Sequence, residues 1–551
     1  MSLVCVPITV HDLAPSLADA HAARDGGADL VEFRIDECFS GSGDEAEERL
    51  IRTLVARSPL PCIVTCRSAA EGGAYDGDEM ERVSLLERLV MGPGVVHPPR
   101  YIDVELGAYA ASANIRQKID LAVRHPAQSR DLDTSLILSI HDFGGRPADL
   151  SRRLLKACDQ PAAAVVKVAF RARSLHDALE LLDLPSQLGR PVIALGMGEF
   201  GVVTRLLAGK FGGLLTFASL RPASATAPGQ PTLQELLDTY RFRAVRRATK
   251  VYGVVGFPVG HSRSPAVHNA GFEAVGIDAC YVPLPVGASK DDAAASYVSF
   301  KGALTELIGH PRLDLSGCSI TLPHKEHALR LAQESGWRIE PIASMAGAVN
   351  TLVVDRSGDE PAVTATNTDA PAIVSRLEAT MGSLAGRRIA IVGAGGVSRA
   401  AAAGCLLAGA SVRLFNRTHA RAAGLSDELR SRIQMADIDA LPVDTLASHA
   451  CDALVQATPM GMEGGDQPEA LAAPLEAMSG LNASLVTLET VYAPVRTPLM
   501  REAERLGLGR IDGLEVFVDQ AERQFERWTG RRPPSGLFER VARGVTPRPG
   551  V

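Results

Sequence analysis

The chain has 551 residues, which is too long for one compact domain and predicts two to four domains that each bury a core. Its hydrophobic fraction of 46%, charged fraction of 22% and net charge of −7 are typical of a globular protein without a nucleic-acid or anionic-membrane partner. The first residues, MSLVCVPITVHD, predict a strand rather than a signal peptide, and no apolar stretch reaches the roughly 20 residues of a membrane helix.

The nine cysteines are scattered along the chain without a C-x-x-C pair. Cys62 and Cys66 are predicted to share one face of a strand, which is not the spacing of a zinc site. We therefore expect no metal. An odd number of cysteines in a chain without a signal peptide predicts reduced thiols and a cytoplasmic location.

Eight short apolar runs alternate with helix-like segments between residue 1 and about residue 245. This pattern predicts a (β/α)8 barrel, and a doubly wound sheet is the structural alternative. The runs cover residues 4–10, 30–35, 62–66, 101–106, 136–140, 164–169, 192–195 and 214–218.

In a barrel of this kind, reactive residues lie where strands end, and this sequence has polar residues at those positions. Lys167 lies between Val166 and Val168 in an otherwise apolar run, so its amine either snorkels to the strand end or is kept partly desolvated. A partly desolvated amine can form a Schiff base with a ketone. His141 is predicted to act beside it as general acid and base, oriented by Glu105. Three arginines are predicted to form a cationic rim for a carboxylate substrate. They are Arg34, Arg67 and Arg205.

The same residues belong to motifs that resemble type I 3-dehydroquinate dehydratase over residues 3–243. These motifs are VEFRID at 31–36, TCR with EGG at 65–73, SIHDF at 139–143, VK at 166–167 and APGQ at 227–230. The resemblance implies that Lys167 forms a Schiff base with the C3 ketone of 3-dehydroquinate, and that His141 assists the loss of water to give 3-dehydroshikimate. Thr226 replaces a usual serine, and Ala164 replaces a common acidic residue. The substrate-binding residues implied are Glu32, Arg34, Arg67, Arg205, Thr226 and Gln230.

A basic run, RFRAVRRATK at 241–250, predicts a domain boundary. A new strand follows in VYGVVGFPVGHSRSPAVHN, after which Ser262 and Ser264 can present two hydroxyls to a polyol substrate. Lys325 lies just beyond a strand that ends in proline, and Asp369 follows later in NTD. A Lys–Asp pair beside a nicotinamide would suit carbonyl reduction, although the sequence alone leaves open whether the two residues meet.

The stretch IAIVGAGGVSRAAAAGCLLAGASVRLFNRTHAR at 389–421 predicts a strand, a glycine turn, a helix and a second strand, which is half of a dinucleotide-binding fold. The helix would aim its first amides at a pyrophosphate, although Ser398 replaces the third glycine of the usual fingerprint. Asn416 and Arg417 stand where an NAD site usually has an acidic residue, which favours NADP. An ordinary βαβ unit is the alternative. The turn residues are Gly393, Ala394, Gly395 and Gly396.

The second half resembles shikimate dehydrogenase over about residues 251–540. Its motifs are GFPVGHSRSPAVHN, TLPHK, AVNT, NTD, GAGG, FNRT, ATPMGM, and VYAP with TPL. The resemblance implies that Lys325 and Asp369 are catalytic. The shikimate-site residues implied are Ser262, Ser264, Thr321, Asn350, Tyr492 and Gln520, and the residues implied for the 2′-phosphate of NADP are Asn416, Arg417, Thr418 and Arg421. The departures from the pattern are Ser319 and Gln456 for asparagine, Glu489 for aspartate, and Ala365 and Ala372 for glycine.

The predicted fold class is therefore α/β, with a (β/α)8 barrel followed by a two-lobed dehydrogenase. We expect the barrel over residues 1–246. The substrate-binding lobe should cover 251–365, completed by 512–546, and a Rossmann NADP-binding domain should cover 366–511. The tail from Pro547 is expected to be disordered.

The predicted protein is a bifunctional enzyme of the shikimate pathway. It would dehydrate 3-dehydroquinate to 3-dehydroshikimate and reduce this ketone to shikimate with NADPH, with small molecules as its partners. One alternative is quinate or shikimate oxidation in a catabolic direction. The other is a non-catalytic metabolite-binding regulator, which is disfavoured because Lys167, His141, Lys325 and Asp369 are all present. The sequence does not reveal the oligomeric state.

Overall fold

The computed structural model describes residues 2–41, 44–92, 95–124, 133–289 and 292–544. The chain divides into two compact units, one formed by the residues up to 249 and the other mainly by those from 250 onward. The tail from Pro547 lies outside the described residues. Within the described ranges, no helix is both long and apolar enough to cross a membrane.

The first unit is built on eight parallel strands that are rich in Val, Ile and Leu. Their order in the sheet is the seventh, sixth, fifth, fourth, third, second, first and eighth strand. The sheet nearly closes on itself, because the backbone N–H of Leu214 donates to the carbonyl of Val192 at 2.8 Å across the remaining gap. This confirms the barrel and excludes the doubly wound alternative. The strands are β1 (Leu3–Thr9), β2 (Leu30–Arg34), β3 (Cys62–Thr65), β4 (Tyr101–Glu105), β5 (Ser135–Asp142), β6 (Ala163–Arg171), β7 (Val192–Met197) and β8 (Leu215–Phe217).

Helices follow most of these strands, and several begin at a capping side chain. The carboxylate of Asp78 accepts hydrogen bonds from the amides of Met80 and Glu81, and the hydroxyl of Ser174 accepts one from the amide of Asp177. Such caps satisfy amides that have no partner inside the helix. The helices are α1 (Leu13–Asp25), α2 (Glu45–Ala56), α3 (Glu79–Met91), α4 (Leu106–Ala111), α5 (Ala113–Ala122), α6 (Leu150–Cys158), α7 (Leu175–Gln187), α8 (Val202–Leu206) and α9 (Ala208–Phe211).

Side-chain alternation along the strands divides the barrel interior into layers. One apolar cluster takes a residue from each strand, namely Cys5, Leu30, Ile63, Tyr101, Ile137, Val165, Ile193 and Leu215. Because side chains alternate with a period of two, residues two positions further along face the same interior. Those positions hold a polar set closer to the carboxyl ends of the strands. The set comprises Glu32, Thr65, Asp103, Ser139 and Lys167.

The second unit contains two six-stranded sheets. In the first sheet, the order is β10-β9-β11-β13-β14-β12, and the pairing is mixed because β13 runs antiparallel to both β11 and β14. We call the part of the unit around this sheet the mixed-sheet lobe. Its strands are β9 (Lys250–Gly256), β10 (Ala279–Pro285), β11 (Leu315–Ile320), β12 (Arg338–Ile339), β13 (Thr351–Asp355) and β14 (Ala362–Thr366).

The second sheet is parallel at every described pair and has the order β17-β16-β15-β18-β19-β20. This is the 3-2-1-4-5-6 order of dinucleotide-binding folds, in which the ligand crevice opens where the order reverses, between β15 and β18. We call this part the parallel-sheet lobe. Its strands are β15 (Arg388–Val392), β16 (Ser411–Phe415), β17 (Ile438–Leu441), β18 (Ala453–Gln456), β19 (Val486–Glu489) and β20 (Gly509–Ile511).

The last two helices among the described residues, which end at Ala542, return to the mixed-sheet lobe. Phe525 and Phe538 from these helices pack in one apolar cluster with Tyr252, Val267 and Phe272. The helices of the second unit are α10 (Ser264–Ala274), α11 (Ala293–Gly309), α12 (Lys325–Glu334), α13 (Pro341–Ala346), α14 (Asp369–Met381), α15 (Gly396–Leu407), α16 (His419–Arg432), α17 (Leu475–Leu481), α18 (Pro498–Arg505), α19 (Gly513–Thr529) and α20 (Leu537–Ala542).

Two candidate active sites

Lys167 on β6 lies in the polar layer of the barrel. Its Nζ donates to Asp103 Oδ2 at 2.8 Å and to Glu32 Oε1 at 3.2 Å, and it lies 4.8 Å from the centroid of the Phe217 ring. The side chain is only 6% exposed. The amine is therefore desolvated, which is the second of the two alternatives from the sequence, but it is not isolated. The carboxylates of Glu32 on β2 and Asp103 on β4 bind it. The apolar residues next to Lys167 in the sequence do not indicate these partners.

Asp103 on β4 joins three groups, which lie on β5, on β6 and just after β3. One carboxylate oxygen accepts hydrogen bonds from Ser139 Oγ at 2.6 Å and lies 2.8 Å from Arg67 Nη2, and the other binds Lys167. Burial alone would raise the pKa of Asp103, but the charges of Arg67 and Lys167 hold this pKa well below its usual range. Arg67 is also 3.1 Å from Glu105, so its guanidinium is already engaged by two carboxylates. It is a buried member of the network rather than part of an open cationic rim.

His141 at the end of β5 is oriented by Glu71. Its Nδ1 lies 3.0 Å from Glu71 Oε2, which also accepts the backbone N–H of His141 at 3.0 Å. The expectation that Glu105 orients the imidazole is wrong, because Glu105 binds Arg67, Arg82 and the backbone N–H of Ser68 instead.

Burial sets the protonation of the His141–Glu71 pair. Burial, with the nearby charges of Arg67 and Lys167, lowers the pKa of His141 well below its ordinary value. Burial also raises the pKa of Glu71 to about 7. A neutral imidazole whose Nδ1–H is held by Glu71 can accept a proton at Nε2.

The remaining predicted barrel residues differ in whether their hydrogen-bond donors already have partners within the protein. Arg34 forms two hydrogen bonds with the carboxylate of Asp36, at 2.8 and 2.9 Å. Arg205 in α8 is buried, its Nε has no hydrogen-bond partner among the described residues, and burial lowers its pKa to about 10. Gln230 Oε1 accepts from the backbone N–H of Thr226 at 3.0 Å, whereas its Nε2 is buried without a described partner. Arg205 and Gln230 thus hold uncommitted donors suited to an anionic, hydroxylated ligand.

A second site forms where α12 and α14 begin. Lys325 Nζ lies 2.5 Å from Asp369 Oδ2, and the two side chains are 10% and 11% exposed. The structure therefore brings together the pair whose meeting the sequence leaves open. Each residue is the first of its helix, so their positions depend on how the two helices are packed.

A separate set of hydrogen bonds begins at Thr368, the residue before Asp369, and extends into the mixed-sheet lobe. Asn350 Oδ1 accepts from the backbone N–H of Thr368 at 2.8 Å, and Thr368 Oγ1 lies 3.5 Å from Gln520 Oε1. Gln524, one turn further along α19, donates to the carbonyl of Asn350 at 3.2 Å and accepts from Ser319 Oγ at 2.8 Å. The network ties α19 to the strand ends near the Lys–Asp pair.

Ser262, Ser264 and Tyr492 form a second polar group in this unit. The backbone N–H of Ser264 donates to Ser262 Oγ at 3.2 Å, and the Tyr492 hydroxyl bonds with Ser262. Burial raises the pKa of Tyr492. Thr321, directly after β11, is half-buried. Among the described residues, no hydrogen bond joins this group to Lys325.

The turn after β15 depends on glycine at one position and has an open backbone at another. Gly393 has a φ of +124°, which is strained for any other residue, and a Cβ there would lie 2.6 Å from Ser398 Oγ. A Cβ on Gly395 would meet no atom within 4 Å, so its backbone is open to a ligand. Ala394, between them, is buried, and α15 then begins at Gly396.

Polar and basic residues surround the end of β16 in the same lobe. Asn416 Nδ2 donates to the carbonyl of Thr418 at 2.9 Å. Arg417 and Arg421 are exposed and take part in none of the ion pairs found among the described residues. Uncommitted guanidinium groups beside a glycine turn fit a dinucleotide that carries an extra phosphate.

Two departures from the expected motifs support loops beside the parallel sheet. Gln456 Oε1 accepts from the backbone N–H of Thr458 at 2.7 Å. Glu489 accepts from the backbone N–H of Val491 and from Thr497 Oγ1, both at 2.9 Å, and burial raises its pKa to about 7. Both side chains hold backbone in place.

Sequence reasoning missed roles for Asp103 and Glu71. Asp103 could have been recognised, because it lies two positions after the interior residue Tyr101 and so shares its face. Glu71 lies in a loop after β3, and no strand or helix period relates it to His141. Within the described ranges, no group of three or more His, Cys, Asp or Glu side chains could hold a metal ion.

Comparisons with known proteins match both units. The family profile described as type I 3-dehydroquinase matches residues 4–247. The profile of the shikimate dehydrogenase substrate binding domain matches residues 254–352, and that of the shikimate 5'-dehydrogenase C-terminal domain matches residues 513–543.

One solved structure and two relatives are similar to this chain. A solved structure of dehydroquinate dehydratase and shikimate dehydrogenase from S. pombe is 25% identical, covering 99% of this chain and 98% of its own, with a TM-score of 0.41. The NADP(+) shikimate dehydrogenase of Methanocella arvoryzae is 36% identical over 53% of this chain and 98% of its own length. The chloroplastic bifunctional 3-dehydroquinate dehydratase/shikimate dehydrogenase of Arabidopsis thaliana is 34% identical over 98% of this chain and 84% of its own length. The chain therefore belongs to the family of bifunctional 3-dehydroquinate dehydratase/shikimate dehydrogenases.

Proposed function

We propose that the barrel dehydrates 3-dehydroquinate to 3-dehydroshikimate through a Schiff base on Lys167, and that the second unit reduces 3-dehydroshikimate to shikimate with NADPH. The observation that supports this most is that each unit holds a buried lysine bound to a buried aspartate. Lys167 lies 2.8 Å from Asp103, and Lys325 lies 2.5 Å from Asp369. The product of the first reaction is the substrate of the second.

In the barrel, the amine of Lys167 attacks the ketone carbon and the carbonyl oxygen leaves as water, which forms an iminium. The attack requires the neutral amine. We propose that Glu32, whose Oε1 lies 3.2 Å from Nζ, takes the ammonium proton, because the pKa of Asp103 is held too low for Asp103 to do so. The iminium withdraws electrons, so His141 can remove a proton from the adjacent carbon. The hydroxyl on the next carbon leaves with a proton as water. Hydrolysis of the iminium then releases the enone and restores the amine.

The uncommitted donors of the barrel suit this substrate. Arg205 has no acidic partner among the described residues, and we propose that it binds the substrate carboxylate. Thr226 and Gln230 would bind hydroxyls. Arg34, Arg67 and Glu32 are already paired in the structure, so we propose that they shape the pocket and its charge.

In the second unit, Lys325 donates a proton to the carbonyl oxygen and Asp369 stabilises the charge of its ammonium. When bound, NADPH supplies the hydride that reduces the carbonyl carbon. We propose that the glycine turn holds its pyrophosphate and that Arg417 and Arg421, with Asn416 and Thr418, hold its 2′-phosphate. The remaining residues proposed for the shikimate site are Ser262, Ser264, Thr321, Asn350, Tyr492 and Gln520.

Borohydride trapping tests the Schiff base directly. Reducing the protein in the presence of 3-dehydroquinate should attach substrate mass to the peptide that contains Lys167. The peptide that contains Lys210 is an internal control, because Lys210 is buried and donates to the carbonyls of Arg247 and Thr249. Substrate mass on another lysine, or no mass despite turnover, would refute the covalent mechanism.

A further inference from the structure

The loop proposed to bind the cofactor packs directly against the stem of Lys325. A Cβ built on Gly396, the first residue of α15, would lie 3.0 Å from both Cβ and Cδ of Lys325. This distance is shorter than ordinary van der Waals contact, so the close approach of the two helix starts depends on glycine at this position. Gly395, one residue earlier, has open space where its Cβ would be. Gly396 therefore contacts the proposed proton donor, whereas Gly395 faces the space left for a ligand.

Arg399, one turn further along α15, makes an ionic contact with the residue that follows Lys325. Its Nη2 lies 3.2 Å from Oε2 of Glu326 in α12, and its Nη1 lies 2.5 Å from Oε2 of Glu428 in α16. The Arg399 side chain is only 12% exposed. One guanidinium in the parallel-sheet lobe thus binds a carboxylate in each lobe, and its planar, multi-donor shape suits this bridging role.

The same bridge continues to a second point on the mixed-sheet lobe. Glu428 Oε1 lies 2.6 Å from Nη2 of Arg432, and Arg432 Nη1 donates to the carbonyl of Ser344 in α13 at 3.0 Å. Two elements of the mixed-sheet lobe, α12 and α13, are therefore tied to α15 and α16. The contact at Glu326 is the one adjacent to Lys325.

We propose that Gly396 and Arg399 are positioning residues that place Lys325 for the reduction, so that ordering of the cofactor loop also sets the proton donor. Gly396 allows the stem of Lys325 to lie against α15, and Arg399 holds the start of α12 there through Glu326. This inference rests on the proposed dehydrogenase function. It predicts that these contacts influence kcat at saturating cofactor more than they influence cofactor affinity, because a small displacement of a reacting group lowers the rate steeply.

The first test is Glu326→Gln in the full chain, which leaves the pair between Arg399 and Glu428 intact. Its matched control is Glu334→Gln at the far end of α12, which removes ion pairs to Arg330 and Lys301 within the mixed-sheet lobe. We expect Glu326→Gln to lower kcat for shikimate oxidation about tenfold at saturating NADP. The KM for NADP should stay close to that of the wild type, and Glu334→Gln should change neither constant.

A measurement without cofactor tests the same contact. Trace acetylation of the cofactor-free protein, read by mass spectrometry for each lysine, should label Lys325 faster in Glu326→Gln than in the wild type or in Glu334→Gln. The other lysines serve as references within the same sample. Unfolding midpoints equal to that of the wild type would show that the second unit is intact.

A glycine pair provides an independent steric test. Gly396→Ala should lower kcat at saturating substrates, because its methyl group displaces Lys325. Gly424→Ala in α16 should have no effect, because a Cβ there meets no atom within 4 Å. If the wild type oxidises shikimate while Glu326→Gln equals Glu334→Gln and Gly396→Ala equals Gly424→Ala, the positioning role is refuted and the proposed function stands. If the wild type does not turn over shikimate with NADP, the proposed function itself fails.

Discussion

The two sites hold a lysine beside an aspartate, but the protein builds them from different kinds of structure. Lys167 lies in the middle of a strand and takes its carboxylate partners from two other strands of the same barrel. Lys325 is the first residue of a helix, and its surroundings come from two lobes. A Schiff-base site needs one rigid pocket around one ligand. A reductase must gather two ligands, so its proton donor lies where two lobes meet.

The charges around the two lysines differ as well. Around Lys167, a buried chain of alternating charge connects α3, β4, β6, β2 and the segment just after β3, so each member is balanced by its neighbours. Removing one member leaves another charge buried without a partner, which is costly. Lys325 and Asp369 form a single close pair. We therefore expect substitutions in the barrel chain to affect folding as well as rate. The charged side chains linked around Lys167, each in contact with the next, are Arg82, Glu105, Arg67, Asp103, Lys167 and Glu32.

The largest effect should follow from Lys167→Ala. Dehydration of 3-dehydroquinate should fall by at least about 10⁴-fold, because the nucleophile is lost. Reduction of added 3-dehydroshikimate should be unchanged in the same chain, which also controls for folding of the second unit. Appearance of the enone by ultraviolet absorbance measures the first reaction. A variant that still dehydrates at a tenth of the wild-type rate would contradict the covalent role.

Lys325→Met should separate the sites in the opposite direction. We expect the dehydrogenase kcat to fall about 10² to 10⁴-fold, which is the usual contribution of a positioned acid. The dehydratase rate should not change. A loss of both activities in Lys325→Met would contradict the view that the two lysines belong to separate, independent sites.

Glu71→Gln should alter the pH profile of the barrel reaction. In the wild type, Glu71 becomes protonated as the pH falls below about 7, so it loses its charge and holds the Nδ1–H of His141 less strongly, and kcat should decline there. His141 cannot cause this decline, because its own pKa is lowered well below its ordinary value. In Glu71→Gln this acidic limb should disappear, and kcat at pH 8 should fall about tenfold through loss of a charge-assisted hydrogen bond.

Glu81→Gln on the exposed surface of α3 is the matched control for Glu71→Gln. It should retain both the rate and the acidic limb. If the decline of kcat below pH 7 were unchanged in Glu71→Gln, another group would cause it, and the proposed role of Glu71 would be refuted.

The smallest effect should follow from Ser319→Ala in the second unit. Its hydroxyl accepts from the Tyr281 hydroxyl at 2.7 Å and donates to Gln524 at 2.8 Å, so alanine removes one hydrogen bond from each of two buried polar groups. We expect a loss of about 1–3 kcal/mol in the free energy of unfolding of this unit, measured by urea titration. Ser426→Ala, which removes one 3.3 Å bond to the carbonyl of Ile438, should cost less. Equal losses would show that the Ser319 network does not contribute specially to stability.

Much of the fold follows from local patterns in the sequence. The eight runs of the first half lie close to the eight strands, since each is a short β-branched segment between breaks. The glycine turn at 393–396 follows β15, as its fingerprint predicts. The residues near Lys167 are less accessible to this reasoning, because Glu32 and Asp103 reach it from other strands. The alternation of side chains along a strand shows that Glu32 and Asp103 face the interior only when the alignment of the strands in the barrel is known.

Contacts between distant segments could not be predicted in the same way. Glu71 and His141 are 70 residues apart, and the bond between them depends on the course of a loop. The bridge from Arg399 to Glu326 depends on how two lobes pack, and no periodicity in either helix indicates it. For these residues, sequence motifs indicate the chemistry, and only the structure identifies the partners.

The most direct test of the central claim is a coupled assay in which the purified chain receives 3-dehydroquinate and NADPH. We expect NADPH oxidation that requires both compounds, that stops in Lys167→Ala and that returns when 3-dehydroshikimate is added to this variant. Oxidation that persists in Lys167→Ala with 3-dehydroquinate alone would contradict the proposal that the two sites act in series. Absence of oxidation in the wild type, with either substrate, would contradict it as well.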